Sequence, residues 1–373
     1  MSQTARNYRV ALKVQSALGD LPTATGATRL RMLASPGMNE DSPPIVSEEE
    51  RPDLQPQQGR MGSRSTSGSY EAEASLGSHD IPIEAVQRGT WAPAVDKTHA
   101  DVGQITIAGS VITAATGSWL DEGVRVGDVV TLSGTSEAAN NNRVLRVTGV
   151  TATTVTVAES LTAIGAPSEF TLRIGRKLVS PASIVRRLFT IEQFYGDLNK
   201  SILFRDTRFT SLDVNIQASA LKRFSFGTMG RYMEVREGSG PHFTDPTAPS
   251  TIPIVTVDGA LRFGGEDIAI ATGLTLNVNL EAETVGVVGD RVSPDVYDGD
   301  MSVSGQMTAI RKDLQQIERY LAEDELELHV IFRTPGAEPR PFLSLFAGNV
   351  KLGSPQAPLG GSGPMIETVP LTF

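Results

Sequence analysis

The stretch GVVGDRVSPDVYDGDMSVSGQMTAIRKDLQQIERYLAEDELELHVIF, residues 286–332, decides the fold. It opens on a turn-rich loop containing Gly289, Asp290, Arg291, Val292, Ser293, Pro294 and Asp295, then enters a strand candidate from Met301 to Ala309. Ile310, Leu314, Ile317 and Leu321 follow at spacings of four, three and four, one apolar stripe at helical period. The spacing predicts a helix over residues 310–322. Leu326, Leu328, Val330 and Phe332 then alternate with Glu325, Glu327, His329 and Ile331, the period of a strand. This is the one strong helix signal in a strand-rich chain. The stripe is expected to pack on a sheet of the same subunit, each side chain contributing roughly 1.5–3 kcal/mol. His329 is expected on the polar side of its strand.

Working outward, strand candidates recur. Leu274, Leu276, Val278 and Leu280 alternate with Thr275, Asn277, Asn279 and Glu281, the clearest half-buried strand. Residues 187–193, 201–209, 212–216 and 224–229 are further candidates, as are 342–350 and 366–373. Between about Lys97 and Leu178 the pattern changes to short Val/Ile-rich strands every eight to twelve residues, broken by Gly109-Ser110, Gly127-Asp128 and Asn140-Asn141-Asn142. That rhythm predicts a small barrel or sandwich at 97–178. It interrupts a larger β domain made of residues 1–96 and 179–373, and such insertions are tolerated at loop tips. Residues 35–68 keep no apolar period. They hold Pro36, Pro43, Pro44, Pro52 and Pro56, then Glu48, Glu49 and Glu50 early, with Arg51, Arg60 and Arg64 after them. A loop of that length is usually functional or disordered. The fold class expected is mainly β, a two-sheet sandwich or barrel with one flanking helix plus the small inserted all-β domain.

Bulk properties narrow the function. The 373 residues suffice for a large core and two domains. There is no cysteine, so thiol chemistry and Cys-based zinc sites are excluded. Residues 1–18 carry no apolar segment of a secretory signal, and no run approaches the ~20 apolar residues of a membrane span. The net charge of −10 argues against tight nucleic-acid binding, which needs cations to neutralise phosphates. A negative wall could instead let a duplex pass without sticking. The plainer reading is that the charge keeps the protein soluble.

No catalytic constellation emerges. His79, His99, His242 and His329 lack ligand spacing. Neither a phosphate-binding loop nor a nucleophile elbow occurs. Asp295, Asp298 and Asp300 depart from the calcium-loop pattern and fit a turn with Gly299. Glu281 and Glu283 would share a strand face, as in a glycosidase, but so do carboxylates in many acidic β proteins. No enzyme, cofactor or metal is expected.

The loop "VG-R-SPDV", the strand "VSGQMTA", the helix and the strand "ELELHVIF" together resemble the C-terminal half of siphophage-type major tail tube proteins. The run from Tyr8 to Pro22 is similar to the opening arm of that family, and Thr28 to Leu33 to its first strand. Gly62, Ser63, Arg64, Ser69 and Tyr70 resemble the loop end that enters the second strand. Some three quarters of the chain is covered. The resemblance implies a structural virion protein made in the host cytoplasm. It implies hexameric rings whose inner strands join into a barrel, stacked into a tube that conducts double-stranded DNA. Partners implied are further copies of the chain, a tape-measure protein, a tail terminator and distal tail or baseplate proteins, with no membrane. Contacts between subunits and rings are expected at Tyr8, Glu48, Glu49, Glu50, Arg51, Arg60, Arg64, Asp290 and Arg291. Other readings are a terminator or decoration protein, or a carbohydrate-binding β-sandwich.

Overall fold

A computed structural model describes residues 2–48, 50, 52, 59–257, 259–268, 270–357, 359 and 362–373. The chain is mainly β, with antiparallel pairing throughout its named sheets. One strand organises it. Lys200–Gln217 runs for 18 residues, where two shorter strands were expected. Its first half pairs with Phe189–Tyr195 and Tyr232–Val235. Its second half pairs with Arg223–Gly230 on one side and Ala271–Asn279 on the other. The second sheet continues outward through Ser65–Glu73 and Gly37–Asp41 on one flank. On the other flank come Ser302–Ile310 and Ile366–Thr372.

The strands of this second sheet alternate as a one-sided sheet should. Leu212, Val214, Ile216, Phe224, Phe226, Leu274, Val278, Met307, Val369 and Leu371 point into the main core. Phe226 is fully buried and meets the rings of Phe209, Phe224 and His79. Gly68 has no room for a side chain, because a Cβ there would lie 2.1 Å from the Gly37 carbonyl oxygen. The neighbouring strand can therefore approach closely.

Four expectations need correction. Among the described residues three helices form rather than one: α1 (Asp80–Val86), α2 (His99–Val102) and α3 (Gln315–Ala322). α1 escaped notice because it is short and carries Pro82 in its first turn, where proline is tolerated. Ile310 ends a strand instead of starting a helix. No residue of α3 is buried, and Leu314 and Leu321 are 57% and 73% exposed. Helical period shows that a face is apolar, not that its own subunit covers it. Residues 35–68 are not a bare loop either: Gly37–Asp41 joins the main sheet, and Pro44–Ile45 pairs with Arg60–Met61 as an arm hairpin.

Residues 95–174 build a separate eight-stranded sheet with its own core around Trp119, Val130, Leu145, Val155 and Leu172. It rests on the strands Leu326–Arg333 and Phe342–Leu352. Val129 and Val144 pack with Ile331 and Phe342. The Phe346 ring seats on Gly127, a glycine at φ +87° where any Cβ would collide with it. Arg146 spans the joint, donating to Glu159 at 2.8 Å and to Asp267 at 3.0 and 3.1 Å.

His329 lies under this joint. It was expected on a polar face, yet it is 1% exposed and its Nε2 sits 2.8 Å from Ser344 Oγ. The alternation failed because both sides of Leu326–Arg333 are covered, giving five consecutive buried residues from Leu328 to Phe332. Burial, then the charges of Arg146 and Arg262, push its pKa down from 6.5 to about 4.

Two outcomes follow. Phe226→Ala should cost about 3–5 kcal/mol in urea denaturation, whereas Leu321→Ala in the isolated subunit should stay within about 0.5 kcal/mol. Below pH 6.5 the unfolded chain binds a proton at His329 that the folded chain refuses until about pH 4. That contribution is complete above pH 6.5 and is lost as the pH falls toward 4. Urea midpoints from pH 7 to 4.5 should fall less steeply for His329→Gln than for the parent.

Candidate assembly surfaces

The outward side of the one-sided sheet is made mostly of polar residues. Cross-strand register aligns them in rows. One row runs Glu71, Ser225, Asp213, Asn277, Ser304, Thr372. The next runs Glu73, Arg223, Asn215, Thr275, Gln306, Pro370. Hydroxyl and amide groups dominate, and Asn277 donates to Asp213 across the strands. A solvated sheet face of this kind offers no apolar area to bury and few charges with which to hold a polyanion.

The arm hairpin leaves one end of that sheet. Its base is fixed by Arg64, which grips Glu40 with two hydrogen bonds of 2.8 and 2.7 Å and also donates to the Met233 carbonyl at 2.9 Å. Burial opposes ionisation of Glu40, but the hydrogen bonds from Arg64 and the Met233 N–H outweigh it and hold the carboxyl below its ordinary range. Arg64 N–H also donates to the Arg291 carbonyl, which brings the loop 285–292 beside the arm. Asp290 and Arg291 are exposed there, and Asp290 Oδ1 accepts from Val292 N–H. Arg60, Glu48 and Glu50 are exposed on the arm. Glu49 and Arg51 lie outside the described residues. Tyr8 is remote from this group: it begins the strand Tyr8–Val14, opposite Tyr195, and packs half-buried on the main core. The structure thus brings Arg64 beside Arg291, and occupies Arg64 internally.

Sequence reading missed two features here. Ile45, Val46 and Met61 on the arm and Val285, Val287 and Val288 on the loop are all exposed. Polar neighbours masked them as ordinary loop residues. Arg208 was not singled out either, yet it collects the aspartates considered for calcium. It donates to Asp298 at 2.9 Å and to both oxygens of Asp295 at 3.0 Å. These two carboxylates are committed to an ion pair. Among the described residues no group of His, Asp and Glu is arranged to hold a metal. Glu281 does not share a strand with Glu283: it sits beyond Asn279 at φ +47°, so the glycosidase-like pairing is withdrawn.

A sheet with one wet polar side, an arm and exposed apolar loop tips fits a structural protein. The family model described as phage tail tube protein matches residues 5–373, and the chain belongs to that family. It is a structural tail tube protein, a component of the phage virion. No curated protein matches it. No described helix is long and apolar enough to cross a membrane.

Arg64→Ala should release the arm base and leave Glu40 unpaired, at a cost on the order of 1–2 kcal/mol. Limited proteolysis should then cut residues 44–61 faster than in the parent, while Arg60→Ala leaves the cutting rate unchanged.

Proposed function

We propose that the chain closes into hexameric rings that stack into a hollow tube, and that the polar side of the Lys200–Gln217 sheet faces the bore through which the genome travels. The rows of Ser, Thr, Asn and Gln carry this reading. They can stay hydrated beside a passing duplex, and with so few cations among them they give phosphates little to grip. The opposite side of the same strands is core and cannot face water. Lateral pairing between subunits would remove open strand edges. A ring needs a heterologous contact whose rotation closes, and stacking needs a second one that does not. The tube would be laid down around a tape-measure protein, with terminator and distal tail proteins at its ends. Catalysis has no place in this scheme.

Residues 97–178 form, in this reading, an inserted module on the outer tube wall. The joint at Phe342, Phe346 and Arg146 would hold it in one pose rather than on a tether.

Electron microscopy of concentrated protein should show tubes; a strictly monomeric species at millimolar concentration contradicts the proposal. The chain has no cysteine, so Ser304→Cys gives a single reporter on the polar face. A bulky polymer maleimide should label it in dissociated subunits and be excluded in tubes. Equal labelling in both would place that face outside.

A further inference from the structure

Beside α1 lies a small cleft lined by Ala85, Arg88, Arg186, Arg187, Arg208 and Asp298. Three of its four arginines meet three carboxylates. Asp298 takes Arg208 and, at 3.5 Å, Arg186; Asp295 takes Arg208; Glu84 takes Arg187 at 3.3 Å. Arg88 has no carboxylate among these pairs and donates to the Gly299 carbonyl at 3.2 Å. Arg186 keeps 55% of its side chain exposed. The cleft therefore carries surplus positive charge on a chain whose net charge is −10.

The segment leading into it is unusual. Ile184 and Val185 are 46% and 40% exposed, directly before Arg186. Residues 184–188 belong to no helix or sheet. The arm presents the matching order with opposite sign. Ile45 and Val46, 67% and 57% exposed, precede Glu48 and Glu50, both exposed. One segment reads apolar pair then cations, the other apolar pair then anions.

We infer that the arm of one copy docks on the cleft of a second copy, with Ile45 and Val46 against Ile184 and Val185 and the Glu48 and Glu50 carboxylates on Arg186 and Arg88. This rests on the tube reading and assigns the receiving surface for the arm. The apolar pairs supply burial, while the charges fix which way the arm lies. The occupant is a copy of this chain because the complementary segment belongs to the chain itself.

The test uses the full-length protein. Glu48→Arg with Glu50→Arg should raise the concentration needed for tube formation at least tenfold while thermal unfolding of the subunit stays unchanged. Adding Arg88→Glu and Arg186→Glu to the same chain should restore assembly, since both partners are then reversed. Should the arginine changes unfold the subunit, a second variant decides independently: Val46→Cys with Val185→Cys in the cysteine-free chain should give a ladder of disulfide-linked oligomers under oxidation. Normal tubes from the glutamate variant, or tubes that give no cross-linked species, overturn this contact and leave the tube reading standing. Failure of the parent chain to form any tube removes the tube reading and this contact with it.

Discussion

The fold depends on one buried carboxylate at the bend of the long strand. Lys200–Gln217 serves two sheets and must turn between them. It does so at Asp206, a non-glycine residue at φ +52° with no solvent exposure. Left-handed backbone at such a residue is unfavourable and needs compensation. Here it is complete. Asp206 Oδ1 accepts from Gln15 at 3.0 Å and from Gly19 N–H at 2.7 Å, while Oδ2 accepts from Arg231 at 2.8 Å. Its own N–H donates to the Gln15 side chain. A buried charge so paired adds little net stability over an apolar replacement, but losing one partner is costly. Its role is geometric: it ties the N-terminal segment to the bend and sets the angle between the sheets.

That angle separates the two jobs of the sheet. Because side chains alternate, one set of strands supplies both the core and a wet surface. Arg208 stands two residues beyond the bend and gathers Asp295 and Asp298, fixing the strand pair Glu283–Thr284 and Val296–Tyr297 across the end of the sheet. From there the loop reaches Arg64 and the arm. Bend, loop and arm base are thus linked by three arginine–carboxylate sets, Arg231–Asp206, Arg208–Asp295/Asp298 and Arg64–Glu40. The loop and the arm are mounted on polar pairs of defined geometry rather than on adaptable apolar packing.

The sequence made the alternating strands legible because burial there is one-sided. Leu274 and Val278 against Thr275, Asn277 and Asn279 could be read directly, and so could the small β sheet near residues 97–178. Three features were hidden for physical reasons. His329 is buried at the joint with the eight-stranded sheet and not by its own alternation. Arg64 and Glu40 stand 24 residues apart and meet only after the arm has folded back. The α3 stripe has a clear period but no cover, and period carries no information about cover. The family resemblance supplied what periodicity could not, since order of elements survives where single contacts are unreadable.

Some of the exposed apolar residues lie together. Six of them, Ile45, Val46, Met61, Val285, Val287 and Val288, lie on the arm and on the loop that Arg64 holds beside it. A lone subunit gains nothing by exposing them there. Single exposed apolar side chains need no explanation, but a cluster on a buttressed projection marks a contact surface. The subunit alone thus has the Asp206 carboxylate and the Arg64–Glu40 pair engaged internally while its projections stay exposed. This division suits a part that must fold completely before it polymerises. The charged pairs that define shape are engaged internally, and the apolar side chains of the arm and loop are left exposed.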